Sequence, residues 1–195
     1  MPEPTPRQQR NDERRRRILV AAQERADAEG WAAVTTRHLA DAIGYTQPVL
    51  YGHFPGGKSE IIRAVAFEGF VDITRKCRAA LGRKQGRRAI EAVAVAYLDF
   101  AVQHPAVYEA MFQQPIDARF AAEDSEAELR AGFAVLADTI RDDGDGTATE
   151  VFWGALHGVS LLERAGRMRP DHRAHRVAEL GVRFAVDPRP DPRRR

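Results

Sequence analysis

Apolar residues recur along most of this chain at spacings of three and four, the repeat of an α-helix. No stretch alternates with a period of two for long enough to form a convincing strand. Turn residues interrupt the helical pattern, as in Pro55-Gly56-Gly57 and in Asp143-Gly144-Asp145-Gly146. We therefore expect an all-α fold, in which three short helices precede about six longer ones packed as a bundle.

The composition allows such a bundle to bury a core and argues against a membrane protein. Hydrophobic residues make up 44% of the 195 residues. The most apolar stretch, residues 89–102, contains Glu91 and Asp99, so it is too short and too charged to cross a bilayer. The single cysteine, Cys77, excludes an intrachain disulfide and fits a reducing compartment. We expect a soluble cytoplasmic protein that does not bind a membrane.

Charge is unevenly distributed along the chain, although its net value is only +2. Residues 1–110 carry 17 basic and 13 acidic side chains, a net of +4, whereas residues 111–186 carry 9 and 13, a net of −4. This asymmetry indicates that only the first part meets a polyanion. Within it, the cluster Arg14–Arg17 is either a solvated run or a contact to a phosphate backbone.

Two short predicted helices in the basic part are joined by a tight turn. The first begins at the capping pair Thr35-Thr36 and ends at Gly44, and the second begins at Thr46 with Pro48 in its first turn. Two helices joined in this way form a helix-turn-helix, which places the N-terminal residues of its second helix in the major groove of DNA.

The residues at these helix starts have the chemistry that base recognition requires. Gln47 can form two hydrogen bonds with adenine, and Pro48 and Val49 can contact a thymine methyl group. Tyr51 can stack on that methyl group or bond a phosphate, and Arg37 can read guanine or bind a phosphate. The sequence therefore predicts a recognition helix that begins at residue 47.

The run TTRHLADAIGYTQPVLYGHFPGGK, residues 35–58, resembles the DNA-binding segment of the TetR family of repressors, and the similarity extends over about residues 14–62. The resemblance implies that one group of side chains reads bases, namely Arg37, Gln47 and Pro48. It implies that a second group positions phosphates, namely Thr36, Tyr51, His53 and Lys58. Ala26 stands where the family usually has an aromatic residue, and Trp31 is expected to fill that space. The residues predicted to contact DNA are Thr35, Thr36, Arg37, Thr46, Gln47, Pro48, Val49, Tyr51, His53 and Lys58.

Two local motifs in the second half, HPAVY at residues 104–108 and Trp153 with His157-Gly158, resemble the TetR subgroup whose C-terminal domain is called WHG. Aromatic side chains there are candidates for an ordinary core or for the lining of a cavity. The resemblance implies a pocket for a small-molecule inducer, and the lining predicts a largely apolar one. The candidate lining residues are Tyr97, Phe100, Tyr108, Met111, Phe112, Phe133, Trp153 and His157.

Apolar stripes that include small residues run along the last two predicted helices. Each stripe could face inward as plain core, or the two could pair with their twofold copies in a four-helix bundle. The family resemblance implies the second arrangement. The residues predicted to form this dimer interface are Gly154, Gly158, Leu161, Leu162, Ala165, Val177, Leu180 and Phe184.

These predictions divide the chain into four parts: a disordered basic arm at residues 1–9, a helix-turn-helix domain at 10–57, a ligand-sensing and dimerisation domain at 58–186, and a disordered tail at 187–195. The predicted function is a homodimeric repressor that an inducer releases from a palindromic operator. Two alternatives remain open, an all-α enzyme with incidental front helices and a DNA-binding protein that responds to no ligand. We expect no catalytic triad, cofactor or metal site.

Overall fold

The computed structural model describes residues 5–116 and 126–185. Throughout these ranges the chain forms helices, turns and connecting segments only, which confirms the predicted all-α fold. Short 3-10 turns occur at Trp31–Ala33 and Pro170–His172. The helices are α1 (Pro6–Glu29), α2 (Thr36–Ile43), α3 (Gln47–His53), α4 (Gly57–Leu81), α5 (Gly86–Gln103), α6 (Pro105–Phe112), α7 (Ala127–Ile140), α8 (Thr147–Arg164) and α9 (Arg173–Phe184).

The first helix begins within the segment that the sequence analysis expects to be a disordered arm. The Thr5 hydroxyl accepts a hydrogen bond from the Gln8 backbone N–H at 3.3 Å, and Gln8 Oε1 accepts one from the Thr5 N–H at 2.8 Å. This reciprocal capping box, with Pro6 at the first helical position, starts the helix at residue 6. Residues 1–4 and the predicted tail at 187–195 lie outside the described residues.

The described residues fall into two compact units. The first unit contains residues 5–69 and 104–116, and the second contains residues 70–103 and 126–185. The division differs from the boundary expected between residues 57 and 58 in two respects, because α4 contributes to both units and α6 belongs to the first.

Helix α6 belongs to the first unit because it packs on residues far from it in sequence. The Ala106 N–H donates to Asp27 Oδ1 at 3.0 Å, and the Ala106 carbonyl accepts from Trp31 Nε1 at 2.9 Å. A Cβ atom added to Gly69 would lie 2.6 Å from Met111 Sδ, so the glycine permits the close approach of α4 and α6. Trp31 is 2% exposed and Ala26 is 5% exposed, so both are buried, and the prediction that Trp31 fills the space beside Ala26 stays a prediction.

In the second unit, α5 packs against α7, α8 and α9 around a core that includes Val93, Phe152 and Leu156. Glu163 of α8 forms salt bridges with two residues of α9, Arg176 at 2.7 Å and Arg173 at 3.4 Å. None of the helices within the described ranges is both long enough and apolar enough to span a membrane.

Candidate nucleic-acid interface

Helices α2 and α3 form the helix-turn-helix that the sequence predicts. The Thr35 hydroxyl caps α2 by accepting a hydrogen bond from the His38 N–H at 3.2 Å. Gly44 ends α2 in the left-handed conformation, with φ 71° and ψ 34°, and the following Tyr45 N–H donates to the Ala40 carbonyl at 2.9 Å. Because side chains disfavour this backbone conformation, Gly44 sets the direction in which α3 leaves the turn.

Helix α3 buries one face and presents the other. Leu50 and the following Phe54 are completely buried and hold the helix on the core of the first unit. Gln47 and Pro48 are exposed, and Tyr51 is 45% exposed. These three residues are spaced as neighbours on one helix face, so the predicted base-reading side chains point away from the core together.

The exposed face of α3 continues onto the first turn of α2. The Thr36 hydroxyl lies 3.5 Å from the Tyr51 hydroxyl, and Arg37 is exposed beside Thr36. We call Thr36, Arg37, Gln47, Pro48 and Tyr51 the reading surface. It combines a guanidinium, an amide and two hydroxyls with the apolar ring of a proline, which are the groups that bind phosphates, base edges and thymine methyl groups.

Two residues predicted to contact phosphates, Lys58 and His53, are affected by neighbours in the first unit. Lys58 Nζ donates to the Trp31 carbonyl at 2.5 Å, so a phosphate would have to compete with that oxygen. Burial and the nearby charges of Arg14 and Arg15 lower the pKa of His53 below its ordinary value. His53 is therefore neutral near pH 7 and can donate a hydrogen bond to a phosphate without adding positive charge.

Arg15 and Arg17 have a role that the sequence analysis missed. Arg15 Nη1 donates to the His53 carbonyl at 3.2 Å and Arg17 Nη2 donates to the Ile43 carbonyl at 3.0 Å. Those carbonyls are at the C-terminal ends of α3 and α2, where backbone oxygens lack helical partners and the helix dipole is negative. The two arginines thus hold both helices of the motif in place. This role is neither the solvated run nor the phosphate contact that the sequence offered for residues 14–17.

Aromatic rings strengthen this attachment. The Arg15 guanidinium lies 4.2 Å from the centroid of the Phe54 ring, and the guanidinium of Arg17 lies 5.5 Å from that of Tyr45. Both distances are within the range of cation–π attraction. Phe54 directly follows α3, and Tyr45 lies two residues after the end of α2. Each arginine thus contacts the end of one helix through a backbone carbonyl and a nearby aromatic ring.

The predicted ligand-lining residues are divided between the two units. Tyr108, Met111 and Phe112 belong to the first unit, in which Tyr108 and Met111 are buried core residues. Tyr97, Phe100, Phe133, Trp153 and His157 belong to the second unit. A pocket that contains all eight residues stays a prediction.

Within the second unit, two of these residues are directly joined. Trp153 Nε1 donates to the Tyr97 hydroxyl at 3.1 Å, which links α8 to α5. Burial lowers the pKa of His157, one turn after Trp153, so its ring is neutral near pH 7.

The residues predicted for the dimer interface differ in burial. Val177 and Leu180 are 8% and 7% exposed, because α9 packs them inside the second unit. Leu162 is 44% exposed, and a Cβ atom added to Gly154 or Gly158 would meet nothing within 4 Å. The stripe of α9 thus matches the plain-core alternative at those two positions, whereas the stripe of α8 lies open. The remaining predicted residues are half-buried or exposed, namely Leu161, Ala165 and Phe184.

Comparisons with known proteins decide the family. The family model described as "Bacterial regulatory proteins, tetR family" matches residues 18–65, and that described as "Tetracyclin repressor-like, C-terminal domain" matches residues 90–185. An uncharacterised HTH-type transcriptional regulator of Mycobacterium tuberculosis, Rv0681, is 33% identical over 162 residues, which cover 79% of this chain and 72% of that protein. This chain belongs to the TetR family of transcriptional regulators.

TetR-family regulators bind DNA and are not enzymes, which removes the alternative of an all-α enzyme. A second relative, the HTH-type transcriptional activator FasR of Mycolicibacterium smegmatis, is 32% identical over 103 residues, 52% of this chain and 47% of that protein.

Solved structures confirm the fold. A TetR-family regulator from Streptomyces coelicolor matches with a TM-score of 0.67 and 18% identity, covering 89% of this chain and 79% of that one. The TetR-family regulator PfmR from Thermus thermophilus matches with a TM-score of 0.62 and 20% identity, covering 86% of this chain and 97% of that one.

Proposed function

We propose that this TetR-family regulator is a homodimeric repressor that leaves a palindromic operator when an apolar small molecule binds its second unit. The reading surface is the observation that carries the DNA-binding part of the proposal. Its side chains lie at the first turns of α2 and α3, while Leu50 and Phe54 fix α3 to the core. A recognition helix needs this combination of an exposed N-terminal face and a rigid base.

Within the reading surface, Arg37 and Gln47 are the proposed base readers. An arginine can bond both acceptors of a guanine edge, and a glutamine can bond adenine in the same two-pronged manner. Both side chains are exposed, so binding does not require a buried contact to be broken. Thr36 and Tyr51 carry hydroxyls suited to phosphates, which fix the register of the helix without reading sequence.

The open face of α8 supports the proposed dimer. Val151 is 58% exposed and Leu162 is 44% exposed, and Gly154 and Gly158 lie between them at helical spacing. A second copy of α8 fits such a face, because small residues let two helices approach closely and apolar ones bury area. A twofold dimer would hold its two recognition helices about 34–36 Å apart, or a multiple of that distance.

The proposed inducer site lies among the aromatic residues of α5, α7 and α8. The Trp153–Tyr97 hydrogen bond joins α8 to α5, and these two helices also carry His157 and Phe100. A ligand that inserts there and prefers a different arrangement of these helices would shift the dimer between two states with different operator affinity. A regulator that responds to no ligand is the remaining alternative, and for it no apolar compound changes operator affinity.

The direction of regulation needs its own test, since FasR is named as an activator. The proposal expects that deleting the gene for this chain raises transcription of the genes beside its binding site. A fall in transcription after deletion would show that the chain activates instead.

Selection of bound sequences from random DNA duplexes tests the proposed function. The full-length chain should enrich a palindromic sequence with two half-sites about one helical turn, or a multiple, apart. The variant Arg37→Ala should lose preference at one position in each half-site, worth about 1–3 kcal/mol, while Arg167→Ala, on an exposed arginine after α8, should not. Enrichment of no sequence, or of the same sequence by both variants, would contradict the proposed reading surface.

A further inference from the structure

The N-terminal turns of α1 form a helix that packs on no core. All residues from 5 to 14 are exposed, and the first buried residue is Ile18. Short helices without tertiary contacts are marginal in water. Here the capping box of Thr5 and Gln8, with Pro6 at the first position, stabilises the helix locally. The sequence thus maintains helical structure in a segment that contributes nothing to the hydrophobic core.

Charges are sorted around this exposed helix. Arg7, Arg10 and Arg14 are spaced by three and four, which places them within an arc of about 60° at 3.6 residues per turn. Asp12 falls on the opposite side of the helix, and Glu13 pairs with Arg16 at 3.1 Å. We call Arg7, Arg10 and Arg14 the arginine face.

The arginine face is available to a partner and adjoins the helix-turn-helix. Within the part of the chain that the structure describes, Arg7 and Arg10 make no ion pair or hydrogen bond through their side chains. The Arg14 guanidinium lies 5.6 Å from the centroid of the Tyr45 ring, in the turn between α2 and α3. The face therefore extends from the DNA-binding motif along an exposed helix.

We propose that the arginine face binds phosphates of the DNA strand beside the bases that the reading surface contacts. Residues 7–14 rise about 10 Å along the helix axis, and a DNA strand carries one phosphate for each 3.4 Å or so of duplex axis. Guanidinium groups stay charged at all working pH values and bind phosphate oxygens in pairs. The contact is with the backbone, so it adds affinity for every sequence and leaves specificity unchanged.

This inference rests on the DNA binding proposed above, but not on repression, on an inducer or on a particular operator. The salt dependence of binding tests it, because each lost phosphate contact lowers the slope of log K against log salt by about 0.9. The probes are the duplex enriched by selection and a scrambled duplex of equal length. The full-length variant with Arg7→Gln, Arg10→Gln and Arg14→Gln should lower the slope by roughly 2.7 per protomer on both duplexes, and the selected sequence should stay the same.

A matched pair of single variants controls for charge alone. Arg10→Gln and Arg16→Gln each remove one positive charge from the same exposed helix, and glutamine forms helices about as well as arginine. We expect Arg10→Gln to lower the slope by about 0.9 per protomer and Arg16→Gln to leave it unchanged, since Arg16 is paired with Glu13 on another face. Equal slopes for these two variants would overturn the arginine face as a specific contact.

A further variant tests whether the helix itself matters. Asn11→Pro keeps every charge but breaks the helix between Arg7 and Arg14, and it leaves the core, which begins at Ile18, intact. Because proline can begin a helix, Arg14 stays in place and only Arg7 and Arg10 lose their positions. We therefore expect the slope to fall by roughly 1.8 per protomer, while the unfolding temperature stays near that of the wild type. An unchanged slope would show that the charges act as a flexible tail and would overturn the rigid contact.

Failure of this proposal can be separated from failure of the proposed function. If no sequence is enriched, the proposed function fails, and the scrambled duplex at low salt still tests the arginine face. If a sequence is enriched but the triple variant and the wild type have equal slopes on both duplexes, only the arginine face is overturned. In that case the arginine face is either solvated or binds an acidic protein.

Discussion

Helices α3 and α8 both expose large side chains, but their neighbours differ. On α3, Tyr51 is 45% exposed beside the Gln47 amide and the Thr36 hydroxyl. On α8, Val151 and Leu162 are 58% and 44% exposed, with Gly154 and Gly158 between them. The first surface carries hydrogen-bonding side chains, whereas these four α8 residues are apolar or small, so the first fits base edges and phosphates and the second fits another apolar helix.

The same difference between α3 and α8 determines which of the two surfaces could be predicted from the sequence. Groove recognition needs particular residue types at fixed positions of a short helix, so a pattern such as Gln47-Pro48 carries information about function. A helix pair needs only small and apolar residues at helical spacing, which a buried core needs as well. The sequence alone could therefore not separate the open stripe of α8 from the buried residues Val177 and Leu180 of α9.

The largest expected effect comes from a charge placed on each stripe. Leu162→Arg lies on an exposed face, so we expect a folded monomer whose operator affinity falls by roughly 10²- to 10⁴-fold through lost bivalency. Leu180→Arg buries an unpaired charge inside the chain and should unfold the second unit, at a cost of several kcal/mol, about 3–5. Light scattering and thermal unfolding distinguish the two outcomes.

Val102→Arg is the control for that pair, because Val102 is 53% exposed on α5. It should stay folded and dimeric. A Leu162→Arg protein that remains a dimer at micromolar concentration, with full operator affinity, would rule out the α8 face as the interface and place Leu162 among ordinary exposed residues.

The next effect concerns the attachment of the recognition helix. Arg15→Met keeps an apolar stem but removes the hydrogen bond to the His53 carbonyl and the contact with the Phe54 ring. We expect the free energy of unfolding to fall by about 1–3 kcal/mol in urea titrations. Arg16→Met, which removes only the exposed pair with Glu13, should change it by less than about 1 kcal/mol. Equal losses would mean that Arg15 does not secure α3.

Several features of the first unit had signals that the sequence analysis did not use. The start of α1 is marked by Thr5, Pro6 and Gln8, the pattern of a capping box with proline at the first position. The proline and arginine content of residues 1–10 indicated a disordered arm instead. Local capping thus decided the first turns, where composition indicated disorder.

Other features could not be obtained from local sequence. The hydrogen bonds of Ala106 with Asp27 and Trp31 join α6 to the first unit across more than 70 positions of the chain. The contacts of Arg15 and Arg17 with the ends of α3 and α2 are also tertiary. Periodicity shows which face of a helix is apolar but not which distant segment it meets.

A smaller effect is expected from pH. Burial lowers the pKa of His157, so the unfolded chain takes up the proton first as the pH falls. The contribution of this neutral histidine to stability is full above the ordinary histidine pKa of about 6.5, and it is lost progressively as the pH falls from there toward the lowered folded value. His157→Gln should reduce the acid-induced fall in unfolding temperature, which thermal unfolding at a series of pH values measures.

His53 is the comparison for that experiment, since its pKa is also lowered, by burial and by Arg14 and Arg15. His53→Gln should reduce the acid sensitivity of the first unit without changing that of the second. If both substitutions leave the pH profile unchanged, neither neutral histidine contributes to stability.

The smallest effect concerns Cys77, which is 3% exposed. Burial raises the pKa of its thiol to about 12, so the native protein should not react with thiol reagents near neutral pH. The reactivity of Cys77 also distinguishes the two stripe variants. Leu180→Arg should make Cys77 reactive by opening the second unit, whereas Leu162→Arg should leave it unreactive.

Recognition of DNA sequence by the reading surface is the basis of the proposed function. Its most direct test is selection from random duplexes with the wild type, Gln47→Ala and Gln85→Ala, the last on an exposed glutamine between α4 and α5. We predict that Gln47→Ala relaxes one position in each half-site, by about 1–3 kcal/mol of discrimination, and that Gln85→Ala retains the wild-type sequence. An unchanged sequence for Gln47→Ala would contradict the placement of α3 as the recognition helix.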